Sequence, residues 1–285
     1  MRFSVLLVGL AVGLAPLAAP IPAYAQSDVA PEGSVFDGDY LMVGIGAAYG
    51  PSYEGSDDYI VSPIPAVLGK IRGIEITPRK GGIALDLIPD GQDPKIGFSF
   101  GPVASYSSKR HSHIKDPVVR AAGKLKESID LGVNGGVTFY KLLNAYDSVT
   151  VSADVEWNAN SASRGMIVTP GINYITPLSR AALVTVRLDA KHVDDDYANY
   201  YYSVSPAQSI ASGLPAFQAK GGWASAGASA LIGYDLDGDL LNGGLVLFVG
   251  ANYERLMEDA KRTPYTAIRG SADQWTVGTG LAYTF

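Results

Sequence analysis

The chain has 285 residues, a formal net charge of −6, 47% hydrophobic residues, 33 glycines and no cysteine. The lack of cysteine excludes a disulfide framework and thiolate metal sites, and 22 Lys and Arg against 28 Asp and Glu leave no basic stripe for nucleic acid. Past residue 25, no apolar stretch reaches the about 18 residues of a membrane-spanning helix, so composition points to an exported all-β domain or an outer-membrane barrel.

Residues 1–25 read as a secretory signal, with Arg2 as the positive start, an apolar run, and Ala23-Tyr24-Ala25 as small cleavage residues. Pro16, Pro20 and Pro22 break that run short of a spanning helix. Residues 26–39 are polar and predict a periplasmic lead, which leaves residues 40–285 as one β domain. Alternation predicts strands at 40–49 and 59–68. Pro63 and Pro65 share a face of the second, which is awkward for a central strand because proline has no N–H for a neighbour. After a Gly69-Lys70 turn, residues 71–77 and 82–88 read as two strands across Arg79-Lys80-Gly81, or as one bent strand.

Clearer strands follow at 96–107, 128–140, 146–157, 166–176, 181–193, 222–234 and 245–254. In them Ile129, Leu131 and Val133 alternate with Asp130 and Asn134, and Val151 and Val155 alternate with Ser152, Asp154 and Glu156. The chain closes on residues 274–285, where Trp275, Val277, Leu281, Tyr283 and Phe285 fall on one face; a period of two is that of a strand. A terminus of this kind needs a partner, as the last strand of a barrel finds in the first.

The connections after even-numbered strands are short, at 69–70, 89–94, 141–145, 177–180 and 235–244. Those after odd-numbered strands include the long ones, at 50–58, 108–127, 194–221 and 255–273. Short periplasmic turns and long outer loops are the habit of outer-membrane barrels. The expectation is therefore an all-β, antiparallel transmembrane β-barrel of about 12 strands, or about 10 if the doubtful region collapses. It is placed in the outer membrane of a Gram-negative bacterium, in contact with outer-membrane lipid.

Asp130, Asp154, Glu156, Arg187, Asp189 and Lys191 project to the polar face. Charges inside a barrel pair or stay wet: paired, they brace a closed interior; wet, they line a narrow channel or a small-molecule-binding lumen. A barrel of this size is narrower than the open porins, which favours bracing. In the loops, Tyr53, Glu54 and Ser56, and separately Tyr201 and Tyr202, combine aromatic and polar groups as recognition surfaces do. An aromatic belt with ordered loop packing would use the same residues.

Three stretches carry a resemblance: Gly44-Ile45-Gly46-Ala47-Ala48-Tyr49-Gly50-Pro51-Ser52-Tyr53-Glu54-Gly55-Ser56-Asp57-Asp58-Tyr59; Tyr201-Tyr202-Ser203-Val204-Ser205-Pro206-Ala207-Gln208 with Ser212-Gly213-Leu214-Pro215; and Arg255-Leu256-Met257-Glu258-Asp259-Ala260. In this order they resemble the MipA/OmpV family of MltA-interacting outer-membrane proteins. The resemblance implies a barrel acting as a scaffold between a murein lytic transglycosylase and a murein synthase, and it brings no catalytic residues. Some members are discussed instead as antigens, adhesins or stress-related surface proteins. Because the first two stretches fall at the outer face, contact with murein enzymes is expected of the periplasmic turns and the 26–39 lead.

The remaining candidates read plainly. His111 and His113 form a cationic loop tip with Lys109, Arg110 and Lys115. His192 beside Asp194, Asp195 and Asp196 has no serine placed opposite it for acid/base work, and the acidic run reads as a solvated loop rather than a calcium site. Asp235-Leu236-Asp237-Gly238-Asp239 reads as a turn. The expectation is a protein that is not an enzyme and uses no cofactor or metal.

Overall fold

The computed structural model describes residues 33–91, 94–108, 110, 113–160 and 162–285. The expected signal, the first half of the lead and His111 lie outside the described residues. Twelve strands run in sequence: β1 Tyr40–Pro51, β2 Tyr59–Ile71, β3 Ile74–Arg79, β4 Gly82–Asp86, β5 Ile96–Ser107, β6 Ser128–Tyr140, β7 Ser148–Asn158, β8 Met166–Pro177, β9 Ala182–Val193, β10 Gly222–Asp235, β11 Gly244–Leu256 and β12 Asp273–Thr284. Each pairs with its sequence neighbours, and β12 pairs with β1, closing an antiparallel barrel.

The closing ladder runs from Met42↔Thr284 to Tyr49↔Val277, and the Phe285 N–H donates to the Leu41 carbonyl at 2.9 Å. The terminal aromatic residue is thus held by the first strand. Alternation sorts the faces: Ile45, Val61, Phe98, Leu188, Val249 and Trp275 point outward, each more than 50% exposed in the bare chain. In a membrane that surface meets lipid, and the strands leave no backbone group unpaired where the barrel is closed. Inside, Gly46 and Gly280 lie opposite each other, and the Phe248 ring rests over both; a Cβ at Gly280 would stand 2.4 Å from its Cζ.

The doubtful region resolves as two short strands, with the chain reversing at Lys80-Gly81. The expected turn at Gly69-Lys70 instead lies within β2, which continues to Ile71 and reverses at Arg72-Gly73; both have positive φ (52° and 80°), as a tight two-residue hairpin demands. Pro63 and Pro65 also find their reason. Leu41 bonds β12, so the even-numbered residues of β1 bond β2, and the odd-numbered residues of β2 direct their backbone groups at β3. The β2–β3 ladder contains only Gly69↔Ile76, Lys70↔Glu75 and Ile71↔Ile74. From Tyr59 to Leu68, β2 therefore has a ladder partner on the β1 side alone among the described residues, and the two prolines withhold their N–H from the unpaired edge.

The long loops are not irregular. They carry α1 Pro117–Ala121, α2 Asp195–Tyr202, α3 Pro206–Ser212, α4 Glu258–Arg262 and α5 Pro264–Ala267. Asp194 caps α2 by accepting from the Tyr197 N–H at 2.9 Å, and it also accepts from the Met166 N–H at 2.9 Å. The acidic run expected to be a solvated loop is thus a helix start.

Candidate functional site

Two assemblies concentrate polar side chains: the lumen and the outer cap. In the lumen, strand parity puts Asp130, Asp154, Glu156, Arg187, Asp189 and Lys191 on the inner face. Asp130 accepts from Ser128 Oγ (2.7 Å) and Asn158 Nδ2 (3.1 Å), and Glu156 accepts from Ser105 Oγ at 2.6 Å. Arg187 pairs with Asp189 at 3.6 Å on the same strand. The stronger ties come from residues the sequence reading left in turns and loops. Arg79 Nε meets Asp154 at 2.7 Å, Lys80 pairs with Glu254, and Glu54 pairs with Lys191 and accepts from the Tyr202 hydroxyl at 2.9 Å.

Arg79 and Lys80 form the tip of the β3–β4 hairpin, so that tip is tied by ion pairs to β7 on one side and β11 on the other. These partners join different walls and brace the lumen. Their signal was present in the sequence as two consecutive cations in a short hairpin and as Glu254 on the inner parity of β11, but only closure of the barrel brings them together. Glu254 also accepts from Ser225 Oγ at 2.5 Å.

At the outer end four loops converge. Tyr53 donates to the carbonyls of Tyr265 (3.2 Å) and Arg269 (3.1 Å), and Ser56 bridges to Gly270. The Arg110 guanidinium lies 3.7 Å over the Tyr265 ring, and Thr263 Oγ1 donates to the Tyr202 carbonyl at 2.6 Å. Asp116 Oδ2 receives Arg269 at 2.6 Å, while its Oδ1 accepts from Val118 and Val119 at the start of α1. Burial pushes the Asp116 carboxyl up, but Arg269 and those two N–H groups outweigh it and hold it below its ordinary value. Burial, helped by Asp116, raises the Tyr53 phenol, and burial lowers Arg110.

Tyr53, Ser56, Tyr201 and Tyr202 are 2%, 0%, 5% and 4% exposed, and Glu54 is tied to Lys191. They cannot present a recognition surface as expected, because closing the barrel mouth buries them against one another; they are the packing of the cap. His192 turns outward and meets Trp223 edge to face at 5.2 Å, and Asp194 is used as the cap of α2. Asp235 Oδ1 accepts from the N–H groups of Asp237, Gly238 and Asp239, so that stretch is a turn as expected.

The family model described as "MltA-interacting protein MipA" matches residues 43–285, nearly the whole barrel. The chain belongs to the MipA family. No curated protein matches it. Among solved structures this MipA-family barrel is similar to the COG4313 outer membrane channel from Pseudomonas putida F1, at 11% identity and a TM-score of 0.43, covering 91% of this chain and 100% of that one. It is similar also to the outer membrane channel DcaP of Acinetobacter baumannii, at 12% identity and a TM-score of 0.39, covering 87% and 96%. The Pseudomonas putida toluene transporter TodX aligns at 8% identity and a TM-score of 0.38, covering 87% and 89%. Fold and family together make this MipA-family chain a barrel of the Gram-negative outer membrane, in contact with its lipid.

Proposed function

We propose that the protein is a non-enzymatic scaffold of the outer membrane that binds murein-remodelling enzymes, a lytic transglycosylase among them, through its periplasmic turns. The observation that carries this reading is a run of exposed leucines on successive short turns: Leu142 and Leu143 (58% and 75% exposed) between β6 and β7, Leu178 (61%) between β8 and β9, and Leu236 (51%) between β10 and β11. Exposed apolar groups gathered at one rim are suited to a protein partner. The turns are also firm. Asp147 accepts from the Leu142 and Leu143 N–H groups at 2.7 and 2.9 Å, and Arg180 reaches Asp239 at 2.7 Å to tie two turns together. The family description supports the choice of partner.

A narrow channel with a charged lumen is the less favoured reading, because Asp154, Glu254 and Lys191 are tied to the β3–β4 tip and to Glu54, and the outer loops pack over the mouth. The test is a binding titration of the detergent-solubilised barrel against a purified murein lytic transglycosylase. Saturable binding is expected, weakened about tenfold or more by Leu142→Asp with Leu143→Asp, the scale of a lost hot spot. It should be indifferent to Asp154→Asn. Absence of binding by the unmodified barrel would overturn the proposal.

A further inference from the structure

The unpaired edge of β2 meets β3 only at its start: the register sets Pro78 level with Val67 and Arg79 level with Ala66, and Tyr59 to Pro65 run on past the hairpin tip. Above the Ile76↔Gly69 pair, the next residue of β3 whose backbone points at β2 is Pro78, since Thr77 and Arg79 direct theirs at β4. Pro78 on β3, and Pro65 and Pro63 on β2 just past the tip, thus offer no N–H along this edge. With these N–H groups missing, the backbone can pair this part of the wall only sparsely. What holds the hairpin is Arg79 to Asp154 and Lys80 to Glu254, two side-chain latches into the lumen, together with the β4–β5 ladder from Gly82↔Ser105 to Ala84↔Val103.

The seam separates two unlike environments only weakly. Outside it lies the hydrocarbon of the membrane. Inside it, β2 presents Ile60, Ile64 and Leu68, and the neighbouring inner face continues with small and apolar groups: Ile64 Cδ1 would stand 3.0 Å from a Cβ at Gly278, Phe248 covers Gly46 and Gly280, and Leu231 reaches over Gly250. Charge meets this face at the hairpin tip, where Arg79 pairs with Asp154 of β7 at 2.7 Å. From Ile60 to Leu68 the strand runs about 26 Å along its own axis, which a barrel tilt of about 40° turns into about 20 Å of depth, some two thirds of the hydrocarbon core. At the outer end of the seam, Lys115 Nζ sits 2.6 Å from the Tyr59 carbonyl, placing one cation where the apolar track meets the headgroup level.

We propose that the β2–β3 seam is a lateral portal that admits a single free fatty acid chain from the bilayer to the apolar side of the lumen, with its carboxylate at Lys115 and the β3–β4 hairpin as the gate. The cap leaves the wall as the route, the prolines keep that route from sealing, and the latches set how far the hairpin swings.

The test uses the whole barrel in phosphatidylethanolamine liposomes with palmitate carrying a photoreactive diazirine in its chain. The protein has no cysteine of its own, so Val67→Cys with Pro78→Cys can be bridged selectively by a bismaleimide, the unreacted double variant serving as the folded control. Adducts are expected on Ile60, Ile64, Leu68 and Phe248, about tenfold fewer after bridging, and more numerous in Arg79→Gln with Lys80→Gln. Adducts confined to outward residues such as Ile45 and Val61, or lumen adducts indifferent to the bridge, would overturn the portal. Equal lumen labelling by a diazirine phosphatidylethanolamine would overturn the fatty acid as the occupant. Transglycosylase binding by the bridged protein reads the scaffold role separately.

Discussion

Glu54 and Lys191 are each 12% exposed at the side chain, whereas Arg262, paired with Asp259, is 68% exposed. Removing one partner of a buried pair leaves a charge without compensation, so Glu54→Ala should destabilise the barrel by about 3–5 kcal/mol. Arg262→Ala should cost less than about 1 kcal/mol. Denaturant unfolding of the folded protein in detergent checks the contrast; equal effects would mean that the Glu54 pair is solvated. Asp116 supplies a pH test. Its carboxyl is held below its ordinary value of 3.8; a depressed folded value stabilises the cap above the unfolded value and loses that contribution as pH falls through the folded one. Hydrogen exchange in residues 113–127 and 257–272, corrected for intrinsic rates, should rise only in strong acid. Asp116→Asn should exchange faster near neutrality and lose that acid step.

At the scale of the element, the strands show what alternation can and cannot supply. β6, β7 and β12 were readable because their apolar and polar residues alternate without interruption, and lipid outside with polar groups inside enforces that pattern. The β2–β4 region was not, because short strands carry few alternations and Pro63 and Pro65 argue against any central position. The resolution is that β2 is central at its periplasmic end and an edge above it. The inner face of the β1–β12 closure is set by volume: a Cβ at Gly280 meets Phe248 Cζ at 2.4 Å, and the Gly46 Cα and Ile45 carbonyl both at 2.5 Å. Gly280→Ala should therefore cost about 1–3 kcal/mol. Adding Phe248→Ala should recover only part of it, because the clash with backbone remains; full recovery in the same unfolding measurement would show that the ring alone sets the limit.

For the whole molecule, the cap and the cross-lumen pairs oppose free diffusion. A planar bilayer containing the purified barrel should show no steady conductance, and Arg79→Gln with Lys80→Gln should raise the frequency of brief openings by freeing the hairpin tip. Steady conductance in the unmodified protein would instead return the lumen charges to the role of a selectivity lining. The six lumen candidates were legible because side-chain parity along a strand is local. The partners Arg79, Lys80, Glu54 and Glu254 were not, because each reaches a residue distant in sequence. The loop tyrosines left recognition and ordered packing both open for the same reason: a sequence shows that Tyr201 and Tyr202 are in a loop, but not that three other loops will bury them.

The amino-acid sequence alone determined an exported, membrane-facing β-barrel, its inner and outer faces and its family, since each depends on periodicity, composition or short motifs that are complete within a few residues. Tertiary structure alone decided which charges brace the lumen, that the long loops close over its mouth, and that one stretch of β2 lacks a neighbour. Those are contacts between segments far apart in the chain, and only closing the barrel makes them neighbours.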